Sequence, residues 1–376
     1  MEENISEKLT RYKKDFVKLK SLVFPRSDEQ FMLNYKNIPD RVNADEETEK
    51  IANKKANDFF EMYGIGNAKT GIDRPFERME AYELLFDILI TIDAKQFKNI
   101  HKGTPYYFLG WTTFQLRDFP KAMFYMDAAV NEDLKIPYHK NKKKATTPAL
   151  ASFLLSTSLE SGIPISGSEV FHSKLIEIFE QTIKEYNQNN GKSKITIEDF
   201  RNKFIEILLF SDPEQRTLLT ALYTFLLEYP EKGKQIKLRS DTGGSIQPFI
   251  NHLFDGARLL ESLLEKKGAN GTSLKRKIDD LRKRSSNLSV TSFDILFKKD
   301  FTKGKWSYTL AEAKQKYIEL SNDNFQDQNF ACAYIIRNTT GHSLLWADLF
   351  DEETYRILYN SLVYAIFWTI DRLWLH

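Results

Sequence analysis

Residues 330–350 read FACAYIIRNTTGHSLLWADLF, and within them Arg337-Asn338-Thr339-Thr340-Gly341-His342 stands between two apolar stretches of helical character. A guanidinium holds phosphate oxygens through paired, charge-assisted hydrogen bonds, and an imidazole titrates near neutrality. Together these groups suit metal-free RNA cleavage, the imidazole moving a proton while the guanidinium fixes the phosphate. On one ideal helix, five residues turn Arg337 and His342 about 140° apart. Thr339, Thr340 and Gly341 are poor helix formers, so a break at Gly341 is expected. A helix restarting there would bring both side chains into one cleft, beside the free N–H groups of a new first turn. The alternative for the same residues is a core-edge Arg and a helix-capping His without chemistry.

Other motifs carry less. Residues 64–71 (GIGNAKTG) place Lys69-Thr70 after glycines, as a phosphate-binding loop does. Ala68 and Tyr63 occupy the points where such a loop needs glycine for its N–H groups to converge on the anion, so the segment reads as a helix-terminating loop. Asp241-Thr242-Gly243 spells the triplet of aspartic proteases, but those enzymes need two such loops on β-sheets. One copy in a helical chain reads as a hinge. His101, His139, His172, His252, His342 and His376 form no i, i+4 pair and have no Cys neighbour, so no metal site is legible among them. Residues 275–284 (KRKIDDLRKR) are the densest basic run. They read as a solvated helix face, whose Lys275, Arg276, Lys277, Arg282, Lys283 and Arg284 are the material for contact with RNA.

The elements that must position these groups are helical. The chain has 376 residues, 41% hydrophobic and 28% charged, which is the composition of a folded protein. Its 16 Gly and 11 Pro are few for a β-sandwich or barrel. Fifty-four Lys and Arg against 52 Asp and Glu leave +2, so a polyanion must be met by a local patch. The one cysteine, Cys332, excludes a disulfide framework and fits a reducing compartment. The sequence from Met1 to Lys8 has no apolar signal core. Residues 357–370 are too short to span a bilayer and read as a buried helix. A cytoplasmic protein without membrane contact is expected.

Residues 76–92 put Met79, Tyr82, Leu85, Phe86 and Leu89 on one face at helical spacing, and 45–62, 168–186, 196–210 and 212–228 behave alike. Strand-like character is confined to 234–238 and 289–291. Residues 139–148 read as a basic loop, 187–194 as a polar one, and 231–245 as the main domain boundary. An all-α chain is expected, with a helical N-terminal region over 1–240, divisible near 139–148, and a C-terminal bundle over 246–376. Residues 106–134 resemble a tetratricopeptide helical hairpin, with Leu109-Gly110, Ala122 and Ala129 near that repeat's small-residue spacing. Thr113 stands where the repeat carries Tyr, the closing Pro is lacking, and no second clean copy follows. An ordinary helix pair crossing at small residues fits the segment as well.

Arg-Asn-x-x-x-His between helices, followed by an aromatic closing helix, resembles the RNase branch of the HEPN superfamily over about the last 130 residues. The opening helix would be the one with Ala257, Leu259, Leu260, Leu263 and Leu264 along its apolar face. The resemblance implies a four-helix bundle that dimerises with two motifs facing each other. It further implies that His342 assists attack of a ribose 2′-OH on the adjacent phosphate, that Arg337 holds that phosphate, and that Asn338 orients one of them. Products would be a 2′,3′-cyclic phosphate and a 5′-OH, with no metal or cofactor. Members of this kind are typically toxins or defence effectors held silent until triggered, which would make the N-terminal region a sensor of a protein or ligand. Inert HEPN bundles also exist. A helical protein-binding module whose bundle only dimerises or binds a nucleotide is therefore the second expectation, and a DNA-binding regulator a distant third.

Overall fold

The computed structural model describes Glu7 and residues 27–62, 75–164, 169–190, 194–239, 244–284, 289–305, 307–320, 324–340 and 350–376. Among these the regular elements are helices, and one isolated β-bridge joins Ser158 to Pro164. The protein is all-α. No helix among the described residues is long and apolar enough to cross a membrane. Contacts divide the chain into two units, Met1–Lys174 and Leu175–His376, the division falling inside the helix Glu169–Asn190.

In the first unit the helices are α1 (Asp28–Lys36), α2 (Glu46–Phe60), α3 (Pro75–Ile92), α4 (Ala94–Asn99), α5 (Gly103–Gln115), α6 (Phe119–Asp133), α7 (Pro137–Lys142) and α8 (Pro148–Phe153). Their starts are written locally. Ser27, Asp45, Asp93, Asp118 and Thr147 each accept a first-turn backbone N–H, replacing partners that a helix start lacks. An aromatic chain fills the core, from Phe31 to Phe59 at 5.4 Å and from Phe86 to Tyr106 at 5.1 Å.

Helices α5 and α6 form a hairpin that closes on Gly110. A Cβ there would meet Met126 Cγ at 2.9 Å and the Ala122 carbonyl oxygen at 3.1 Å. We predict that Gly110→Ala lowers stability by about 1–3 kcal/mol, because overpacking outweighs the gain of about 1 kcal/mol in helix propensity. Denaturant unfolding measures it, and a neutral or stabilising result would mean that the pair separates without cost.

After α9 (Glu169–Asn190), the second unit continues with α10 (Ile197–Phe200), a π-helical turn (Arg201–Ile205) and α11 (Glu206–Leu209). It then forms α12 (Pro213–Leu238), α13 (Gln247–Lys266), α14 (Leu274–Arg284), α15 (Phe293–Leu296), α16 (Lys298–Thr302), α17 (Leu310–Glu319), α18 (Phe325–Thr340) and α19 (Glu352–Ile370). Helices α13 and α17 each pack on both α18 and α19, and α12 packs on α13. Residues 326–336 of α18 and 358–370 of α19, Asn360 aside, are buried, α19 as an almost wholly apolar helix and α18 with Gln326, Asp327, Gln328 and Asn329 buried in its first turns. Tyr229 stacks on Tyr359 at 3.6 Å beside Phe225, His252 and Tyr355.

Three local expectations are corrected. Residues 234–238 are the end of α12, not a strand. The helix capped by Asp212 runs past Pro230, which gives up one backbone hydrogen bond, and Ile236 beyond it is buried. Residues 139–148 are less loop than composition suggested. Pro137 starts α7 with its φ already helical, Lys143 ends it in the left-handed region at φ 51°, and Thr147 starts α8. Residues 187–190 are helical, and Asn187 ties the connection by accepting from Ile195 N at 2.9 Å and donating to Ile195 O at 2.8 Å.

Two buried histidines make the fold acid-sensitive. Burial holds His172 down to about 4 and His252 down to about 3, against an ordinary 6.5. The ring of His252 lies 2.7 Å from the Tyr355 hydroxyl and 2.8 Å from the Phe225 carbonyl oxygen. Between pH 6.5 and these values the unfolded chain binds the protons that the fold refuses, so stability falls as pH drops through that window. Each imidazole contributes up to about 1.4 kcal/mol per pH unit. We predict weaker resistance to denaturant at pH 5 than at pH 7.5, and a smaller difference in His252→Gln. An unchanged difference in that variant would remove His252 as a cause.

Candidate functional site

The described part of the motif is the last turn of α18. Thr339 Oγ1 donates to the Tyr308 carbonyl oxygen at 3.0 Å, and Thr340 Oγ1 to that of Ile336 at 2.7 Å. The two threonines therefore continue the helix, satisfying their hydroxyls on backbone oxygens. Gly341 and His342 lie outside the described residues, as do 64–71 and Asp241-Thr242-Gly243.

Arg337 leaves α18 toward α13. Its Nε donates to Glu261 Oε2 at 2.8 Å, and its guanidinium lies 5.2 Å from the centre of the Phe254 ring. Arg258 approaches the same ring at 5.6 Å, so one phenyl ring gathers two cations. Glu261 also accepts from Lys277 Nζ of α14 at 2.6 Å, and Lys277 reaches Glu265 as well. Burial pushes the Glu261 carboxyl up, but hydrogen bonds from Lys277 and Arg337 outweigh it and hold the group below its ordinary value. The carboxylate thus stays ionised and pins Arg337, whose side chain remains 31% exposed. A fixed, partly exposed guanidinium is suited to holding a phosphate.

Asn338, one residue on and so about 100° around the helix, lies beside Tyr334 one turn earlier and bears on its hydroxyl. That ring packs 5.2 Å from both Phe293 and Phe297. Arg337 and Asn338 consequently serve different neighbours.

The basic run is mostly paired. Lys277 is buried, Lys275 meets Asp294 at 2.7 Å, Arg282 stands 3.9 Å from Asp279, and Arg284 pairs with Asp280. Arg276 and Lys283 are exposed, and Arg276 donates to Thr272 Oγ1 at 3.4 Å. Among the described residues, no cluster of three or more His, Cys, Asp or Glu could hold a metal ion.

Sequence reasoning missed Glu261, Phe254 and Arg258. A signal was present for the first. Glu261 stands between Leu260 and Leu263 and four residues after Ala257, on the buried stripe of α13. A carboxylate in such a stripe requires a buried cation.

No family model, curated protein or solved structure matches this chain.

Proposed function

We propose that the protein is a metal-independent endoribonuclease, a toxin or defence effector acting in the cytoplasm. It cleaves single-stranded RNA by attack of a ribose 2′-OH on the adjacent phosphate. Arg337 holds that phosphate and offsets the charge that builds on it, and His342 moves the proton. Asn338 anchors the last turn of α18 through Tyr334, and Glu261 sets the direction of Arg337. The exposed Arg276 and Lys283 are the members of the basic run with the freest approach to RNA. Two copies join through the C-terminal bundle so that their motifs face one another, and the N-terminal helical region restrains the pair.

One observation carries the reading. Arg337 is held by a buried carboxylate while a third of its side chain faces solvent, five residues before His342. The test is incubation of wild-type protein with end-labelled single-stranded RNA in EDTA, followed by analysis of the product ends. Cyclic-phosphate and 5′-OH ends are expected. Products with 3′-OH ends would overturn 2′-OH attack, and the absence of cleavage with a protein retained in pull-down would favour the inert binding module.

A further inference from the structure

The first unit contains a cavity of about 840 Å³ between the start of α2 and residues 135–142, and the nuclease reading makes no use of it. That volume lies within the range of small-molecule sites. Its walls differ in kind. Tyr138, 47% exposed, offers a flat ring beside Ile136 and Pro137, while Lys50, Lys135 and Lys142 supply cations and Glu46 and Glu49 supply carboxylates.

Beside the cavity lies a layer of buried charge. The side chains of Arg41, Lys102, Glu132, His101 and Asp133 are each under a tenth exposed. Some are fully used. Lys102 Nζ donates to the carbonyl oxygens of Phe97 and Ile100 at 2.8 and 2.6 Å, and Glu132 takes Lys135. Others are not. Arg41 stands 4.0 Å from Glu49 and 3.9 Å from Glu132, and its Nε has no acceptor. His101 Nε2 is 3.2 Å from Asp133 Oδ1 without the alignment of a hydrogen bond, and the amide oxygen of Asn53, which lines the cavity, has no donor. Buried polar atoms are almost always paired, so the unpaired Asn53 oxygen in the cavity wall marks a place for a polar guest.

The mixture of groups selects the guest. A simple anion would be repelled by Glu46 and Glu49, and an apolar ligand would strand the cations. Phosphate, vicinal hydroxyls and a flat ring together satisfy cations, carboxylates and Tyr138. In the cavity wall Lys50, Lys135 and Lys142 against Glu46 and Glu49 leave one positive charge over, which favours an anionic guest.

We propose that this cavity binds a nucleotide, its phosphate drawn by Lys50 and Lys135, its sugar hydroxyls by Glu46 and Glu49, and its base laid on Tyr138. The inference is independent of RNA cleavage and stands or falls separately from it.

The test is calorimetric titration of the full chain with AMP, ATP, GMP, adenosine and inorganic phosphate. At least one of the three nucleotides is expected to bind saturably, and at least tenfold more tightly than adenosine or phosphate. Tyr138→Ala and Lys50→Ala, both at exposed positions, are each expected to weaken it tenfold or more while the ligand-free melting midpoint stays in place. No saturable binding by any nucleotide overturns the proposal. So does phosphate binding as tightly as the nucleotides, or nucleotide affinity unchanged in both variants.

Discussion

Cleavage of single-stranded RNA is expected to fall by about 10²- to 10⁴-fold in His342→Ala, the range that a positioned general acid or base contributes. Arg337→Ala is expected to lose a similar amount, since removal of one donor to a developing oxyanion costs on the order of 10²- to 10³-fold. Neither change should unfold the protein. Arg337 is partly exposed, and Glu261 keeps Lys277 as a second partner at 2.6 Å. Arg337→Lys separates charge from geometry. The ammonium keeps the charge but lacks the planar fork and its rigid reach, so it should restore little of the activity. Single-turnover rates with circular dichroism melts on each variant measure this. Equal cleavage by wild type, His342→Ala and Arg337→Ala would sink the site.

The second large effect is expected at Glu261, which holds Arg337 at 2.8 Å and Lys277 at 2.6 Å. Glu261→Gln should lose both cleavage and stability, the latter by on the order of 3 kcal/mol, because the buried Lys277 loses its buried counter-charge. Lys277 has a side chain 6% exposed and would retain only the more exposed Glu265. Stability loss alone would fit a purely structural residue, so the double variant Glu261→Gln with Lys277→Met decides the matter. Removing both halves of a buried pair is close to neutral, and the melting midpoint should return. Cleavage should stay low if Glu261 positions Arg337. Recovery of cleavage together with stability would reduce Glu261 to a neutraliser of Lys277.

How far these conclusions were legible beforehand varies from residue to residue. The helical class followed from spacing, as in α3, where Tyr82, Leu85, Phe86 and Leu89 are indeed buried. The helices beginning near Asp45 and Asp212 were placed by that spacing, and the structure shows why they start there: each carboxylate accepts a backbone N–H three residues on. Helix ends were harder. Residues 234–238 alternate polar and apolar in a manner that either structure tolerates, and only the continuation of α12 past Pro230 made them helical. The solvated face expected for 275–284 was half right in this sense: α14 presents Arg276 and Lys283 outward but turns Lys277 inward.

The sequence by itself determined the local matters: an all-α chain, the places of several of its helices, and an Arg and a His five residues apart near one end. Each depends on atoms within about one helical turn of one another, so a linear reading reaches them. Only the tertiary structure decided that Arg337 meets Glu261, 76 residues away, that the Tyr334 ring packs on Phe293 and Phe297, and that Tyr138 and Lys135 share one cavity with Glu46 and Asn53. Those outcomes depend on which helix faces pack together, and helical periodicity states that a face is buried without stating against what.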